Sequence, residues 1–183
     1  MTSTLPEKLT SLLGSHGVVP ANRLEEYAID GMVPAAVVQP TSREAIAEVL
    51  RWATAEKLAV APRGGGTQMS LGNTPSKLDL VLDLSRYNHL IDYQPADLTA
   101  TVEAGITLGN LQRELAQGGN LASLEAPMAD RATIGGILSA NSSGPLQHSY
   151  GPVRDWLIGI SVVGPDGEET KAGGKVVKNV TGY

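Results

Sequence analysis

An α+β fold in two lobes is what this sequence predicts, on three observations. A strand, helix, strand pattern runs from Ala35 to Arg63, two later hairpin signals mark antiparallel strands, and two clusters of small residues stand at a strand exit and at a helix start. The first lobe is expected as a small βαβ lobe over residues 35–87, the second as a larger mixed sheet with helices over residues 88–183, and residues 1–34 as a helical appendage.

Taken in order, Leu9, Leu12 and Leu13 share one side of a short helix that stops at Gly14, and an irregular stretch follows to Pro34. AAVVQ then reads as a strand. Thr41 with Glu44 three residues on predicts a capping box opening a helix whose Ile46, Val49, Leu50 and Ala53 lie on one face, and LAVAP reads as the returning strand. LDLVLDL predicts a further strand, and HLIDYQ and LTATVEA a hairpin across Pro95-Ala96-Asp97. Thr107 caps a helix through Leu108, Leu111 and Leu115 to Gly118, and Thr133 a shorter one through Ile134, Ile137 and Leu138. Pro165-Asp166-Gly167 supplies the turn of a last hairpin.

Composition excludes several functions. The net charge of -5 opposes nonspecific nucleic-acid binding, which needs a cationic surface. Zero Cys removes disulfides, thiolate metal sites, iron-sulfur clusters and thiol catalysis. No metal site is expected. No run approaches the roughly 20 apolar residues of a membrane helix, and MTSTLPEKLTSLLG lacks a signal-peptide pattern, so a cytoplasmic location is expected.

Arg63-Gly64-Gly65-Gly66-Thr67-Gln68 directly follows a strand. Successive glycines let backbone N–H groups converge on an anion, with Arg63 as the neighbouring cation and Thr67 and Gln68 as side-chain donors; three glycines also mark an ordinary turn, and the residues alone leave both open. A Rossmann motif fails because Met69 stands where its last glycine belongs, and a P-loop fails because Glu169 and Val176 occupy two required positions. A second cluster runs from Pro127 through Asp130, Thr133, Gly135 and Gly136 to Asn141, Ser143 and Gly144. Its helix start, with unpaired N–H groups, suits either an anion or close glycine packing.

In order along the chain, APRGGGTQMS, ATIGGILSANSSG, SYGPVRDWLIGISVVGPDG and GGKVVKNVTGY resemble the FAD-binding domain shared by vanillyl-alcohol oxidase, D-lactate dehydrogenases and glycolate oxidase. The likeness runs from about Ala35 to the end, and SGP, GPVRDWLIG and GGKVVKNVTGY are most similar to the FAD-binding subunit of bacterial glycolate oxidase. The resemblance implies FAD between the two lobes, with Arg63, Gly64, Gly65, Gly66, Thr67 and Gln68 around its diphosphate. It further implies Thr133, Gly135, Gly136, Asn141, Ser143 and Gly144 along the flavin and ribityl chain, Pro127 and Asp130 at the turn leading in, Tyr150 near the ring and Val162 at the adenine end; for Lys178 and Asn179 the residues leave open a contact with the isoalloxazine edge or a polar pair ending a strand.

Relatives that attach FAD covalently carry His where this chain has Thr67, so noncovalent FAD is implied; many also carry Arg where this chain has Ser149. The resemblance implies a component of a flavin-dependent oxidoreductase acting on a small 2-hydroxy acid such as glycolate, or else a noncatalytic FAD-binding accessory subunit, with other oxidase subunits as partners. A nucleotide-binding module of another kind is the remaining alternative. No catalytic base is recognised among His16, His89 and His148. The substrate-binding cap domain of the family is absent here, so the chain is expected to be part of a longer protein that binds FAD without full turnover.

Overall fold

Three parallel strands, β1 (Ala36–Val38), β2 (Val60–Arg63) and β3 (Leu80–Asp83), pair in the order β1-β3-β2 in a computed structural model that describes residues 4–175. Both faces of this sheet are covered, which parallel strands require and which explains why they read as continuous apolar runs. Ala36, Val38, Leu80 and Leu82 cluster with Ile46, Val49 and Ala53 of helix α2 (Arg43–Ala55) and with Leu9 of helix α1 (Leu5–Leu13). Val37 and Val81 pack the other way, with Val19, Tyr27, Ile29 and Leu78.

The segment before Pro34 is thus no appendage. Leu9 is fully buried, and the stretch after it supplies Val19, Tyr27 and Ile29 to the core. The reason is geometric: α2, with Leu9 of α1, covers one face, and the stretch that carries Val19, Tyr27 and Ile29 covers the other. It also shields the edge of β1, where Val19 N–H donates to the Val37 carbonyl (2.9 Å) and Gln39 N–H to that of Gly17 (2.8 Å).

Helix α1 starts where Glu7 accepts the Thr4 N–H (2.8 Å) and ends at Gly14, with φ of 74°. Helix α2 begins one residue later than the sequence predicts. Ser42, not Thr41, is the cap, its Oγ accepting the Ala45 N–H at 3.2 Å, and Glu44 stays in the first turn where the helix dipole favours it.

The chain divides into two compact units, one of residues 4–63, Gln68–Tyr87 and Val163–Thr170, the other of Gly64–Thr67, Asn88–Val162 and residues 171–175. Two short segments depart from a simple division at residue 87. Gly64–Thr67 joins the second unit, and the turn after Val163 joins the first, where Gly167 packs against the Ala47 carbonyl, Thr54 Oγ1 donates to the Pro165 carbonyl (2.5 Å) and Arg43 pairs with Glu169 (2.8 Å).

In the second unit, β4 (Leu90–Gln94) and β5 (Thr99–Val102) form the expected antiparallel hairpin, and β6 (Gly159–Val163) and β7 (Glu169–Gly173), whose turn belongs to the first unit, form another. Among the described residues these strands make two separate ribbons where a larger mixed sheet is expected. Helices α3 (Leu108–Gln117) and α4 (Ile134–Ser139) start at Thr107 and Thr133, as their sequences predict, and the two caps are bridged to each other in antiparallel sense. Leu108, Leu111, Leu115, Ile134 and Ile137 form the core of this unit with Ile106, Ala132 and Val153. A single turn, α5 (Gln147–Tyr150), follows. Among the described residues no helix is long and apolar enough to cross a membrane.

Candidate functional site

The chain leaves β2 at Arg63 and turns through Gly64–Thr67, where each glycine has its own reason. A Cβ on Gly64 would overlap the Thr133 hydroxyl and one on Gly65 the Arg131 carbonyl, while Gly66 has φ of 67°. The two small-residue clusters of the sequence therefore meet. Among the described residues, the amides of Gly64, Gly65, Gly66 and Thr67 donate to no protein acceptor. A glycine loop whose N–H groups have no protein acceptor has the donor set for a diphosphate.

The start of α4 behaves differently and corrects an expectation. Its Ile134 N–H donates to the Ile106 carbonyl (2.9 Å), Gly135 N–H to Ala104 (2.8 Å), Gly136 N–H to Thr133 Oγ1 (3.3 Å) and Ile137 N–H to the Thr133 carbonyl (2.9 Å). Its first-turn amides are spent on the protein, because the bridge between the two caps brings the carbonyls of Ala104 and Ile106 onto them. Thr133 is buried and Gly135 packs against Ala104, with 2.8 Å from a Cβ built there to that of Ala104. These residues build the seat of the loop; the uncommitted amides belong to the loop itself.

Arg63, expected as the loop's cation, is placed elsewhere. Its guanidinium lies 4.3 Å above the Tyr27 ring and donates to the Glu26 carbonyl (3.4 Å), within the first unit. The ring belongs to a buried polar cluster: Gln39 Nε2 donates to Tyr27 Oη (3.2 Å) and Asp83 Oδ2 (2.7 Å), and Ser85 N–H to Asp83 Oδ1 (2.9 Å). Burial, then the Asp83 carboxylate, push the Tyr27 phenol above its ordinary range. Arg131 instead donates to the Gly65 carbonyl (3.3 Å). Sequence reasoning missed it, although it stands two residues before the Thr133 cap.

The other expected residues are spread. Gln68 falls in the first unit. Pro127 is exposed and precedes Met128, whose φ of 56° turns the chain so that its carbonyl accepts from Arg131 N–H (2.7 Å). Asp130 pairs with Arg113 (3.2 Å) and crowds Gly109. Asn141, with φ of 46°, follows the end of α4. Ser143 and Gly144 line an open depression with Ser123, Glu125 and Gln147, and Glu125 Oε2 accepts the Leu146 N–H at 3.1 Å. Tyr150 tilts against Trp156, ring centres 6.4 Å apart, and Val162 is half-exposed on β6. Lys178 and Asn179 lie outside the described residues. All three histidines are exposed, with His89 Nδ1 2.7 Å from Glu103 Oε2. Among the described residues no group of three or more His, Cys, Asp or Glu is placed to hold a metal ion.

Comparison with known proteins places this geometry. Residues 34–173 match the profile of a family described as FAD binding domain. The chain is 35% identical over 150 residues to a D-2-hydroxyglutarate dehydrogenase of Xanthomonas citri pv. viticola, covering 82% of this chain and 32% of that protein. It is 32% identical over 151 residues to glycolate oxidase subunit GlcD of Bacillus subtilis, with 82% and 32% covered, and 32% identical over 147 residues to a D-lactate dehydrogenase of Archaeoglobus fulgidus, with 80% and 33% covered. The chain thus spans about a third of the length of these curated relatives. In three dimensions it superposes on p-cresol methylhydroxylase with a TM-score of 0.75 at 26% identity, covering 90% of this chain and 34% of that one. It also superposes on 6-hydroxy-D-nicotine oxidase of Arthrobacter nicotinovorans with a TM-score of 0.67, covering 76% and 30%, where 24% identity carries the fold alone.

Proposed function

The chain belongs to the FAD binding domain family, with FAD as the cofactor, and from that premise we propose that it is the cofactor-holding part of an oxidoreductase that oxidises a small 2-hydroxy acid such as glycolate. The observation that carries this reading is the loop Gly64–Thr67, whose amides have no protein acceptor among the described residues and whose glycines press against Arg131 and Thr133. Such a loop holds a diphosphate through backbone N–H groups, which suits a chain of net charge -5. Thr67 in the loop and the lack of Cys in the chain support a cofactor held noncovalently.

FAD, when bound, would supply the two-electron oxidant for conversion of a 2-hydroxy acid to a 2-oxo acid, accepting the hydride of the carbon that bears the hydroxyl while the hydroxyl proton leaves to solvent. The protein's part is to hold the cofactor and exclude alternatives. Gly64–Thr67 takes the diphosphate, Thr133 and Gly135 keep the loop's seat rigid, and the depression at Ser143 and Gly144 takes part of the remaining cofactor. The substrate class is supported by relatives named for three different 2-hydroxy acids.

The test is direct. Protein purified under native conditions is expected to show a flavin absorbance spectrum, or to take up added FAD, and acid is expected to release that FAD intact. The full-length protein is then assayed with glycolate, D-lactate and D-2-hydroxyglutarate, and glycolate is expected to give the highest kcat/KM. A protein that neither contains nor takes up FAD overturns the cofactor site; preference for another acid overturns glycolate alone.

A second reading, a noncatalytic FAD-binding accessory subunit of a multi-subunit oxidase, is favoured by the exposure of all three histidines, which leaves no enclosed imidazole base among the described residues. Oxidation by the full-length protein without partner subunits counts against it.

A further inference from the structure

We propose that Arg131 supplies the positive charge that holds the dinucleotide's diphosphate at Gly64–Thr67. This rests on the reading of that loop as the diphosphate site. Arg131 grips Gly65 twice: its carbonyl presses on the Gly65 Cα so that no Cβ fits, and its guanidinium donates to the Gly65 carbonyl at 3.3 Å. The side chain is thereby held at the glycine loop, in the same unit of the fold.

The rest of its hydrogen-bonding capacity is open. A guanidinium has several N–H donors in a planar fork that matches phosphate oxygens, and among the described residues Arg131 forms no ion pair. Asp130, its neighbour in the chain, is taken by Arg113 at 3.2 Å. Arg23 and Arg43 are neutralised by carboxylates, Glu26 (2.7 Å) and Glu169 (2.8 Å), while Arg51, Arg63 and Arg86 donate to carbonyls within the first unit. In a protein of net charge -5, an unpaired and exposed arginine fixed against a loop of free amides offsets the repulsion an approaching diphosphate would meet.

The test is FAD affinity of the wild-type protein and of Arg131→Gln and Arg131→Lys, measured by calorimetric titration into the apo-protein at two salt concentrations. Arg131→Gln is expected to weaken binding by about 10- to 100-fold at low salt, the loss of a charge-assisted contact. Arg131→Lys is expected to recover most of that, and the gap to narrow as salt rises from about 50 mM to about 500 mM. Melting temperatures of the apo-proteins should agree. Affinity of Arg131→Gln within about twofold of wild type overturns the proposal, as does a salt-independent loss accompanied by a lower apo melting temperature, which would make Arg131 a builder of the loop only. If Arg131→Gln does not fold, wild-type FAD affinity that does not fall with salt overturns it. Absence of FAD binding in the wild type overturns the diphosphate loop itself, whereas binding that ignores the substitution overturns only the role of Arg131.

Discussion

Gly65 lies so close to the main-chain carbonyl of Arg131 that no Cβ fits between them. Because the obstacle is backbone, a larger residue at 65 must move either the loop or the turn that leads into α4. Gly65→Ala is therefore expected to lower stability by about 1 to 3 kcal/mol, the range for overpacking, and to weaken FAD binding at least tenfold. Gly66, with φ of 67°, carries the cost of a left-handed residue on replacement by Ala, about 1 kcal/mol. Denaturant melts and FAD titrations of the two variants check the order.

Leu9→Ala tests whether the N-terminal helix belongs to the core. Leu9 is fully buried among β1, β3 and α2, so truncation should leave a cavity and cost about 2 to 5 kcal/mol. A change below about 0.5 kcal/mol in a urea melt, as expected of surface positions, would show that the helix is peripheral.

Thr133 caps α4 while its hydroxyl faces Gly64. Replacing it by Ala is expected to cost about 1 kcal/mol, the usual value of a lost cap, and to loosen the glycine loop. Thr133→Ser keeps the hydroxyl and should hold FAD better than Thr133→Ala; equal affinities would contradict this.

Burial and the Asp83 carboxylate raise the Tyr27 phenol in the folded protein. Folding thus favours the protonated form, so this contribution is complete below the unfolded tyrosine value of about 10 and is lost as pH climbs from there through the higher folded value. Thermal melts between pH 8 and pH 11, roughly spanning that window, should show an alkaline loss of stability. Tyr27→Phe should reduce it, and a profile unchanged by the substitution would refute the assignment.

What the sequence could foretell follows from where each signal resides. Helices α3 and α4 were legible because Thr107 and Thr133 are caps followed by apolar residues at helical spacing, a local code. The start of α2 was misplaced by one because Thr41 and Ser42 are adjacent hydroxyls that both suit a cap, and the choice rests on which one takes the extended conformation before Ala45. The run of glycines was legible as a loop free of side chains, but the contacts of the arginines near it were not. Arg63 adjoins the glycines in the chain yet turns to Tyr27, while Arg131 reaches Gly65 only through the fold. The filled amides of α4 were hidden for the same reason, since the carbonyls on them come from Ala104 and Ile106 across a bridge that no local pattern announces. Both faces of the parallel sheet being covered could have been inferred from the unbroken apolar run of β3; which segment covers the second face could not.

The strand order β1-β3-β2 also governs synthesis. β1 and β2 share no ladder, and each pairs with β3, which lies later in the chain than both. A nascent polypeptide that has emerged only to Arg63 thus lacks the strand that joins β1 to β2, and its greasy interior is unfinished. Completion of this sheet during translation must wait for Asp83 to leave the ribosome.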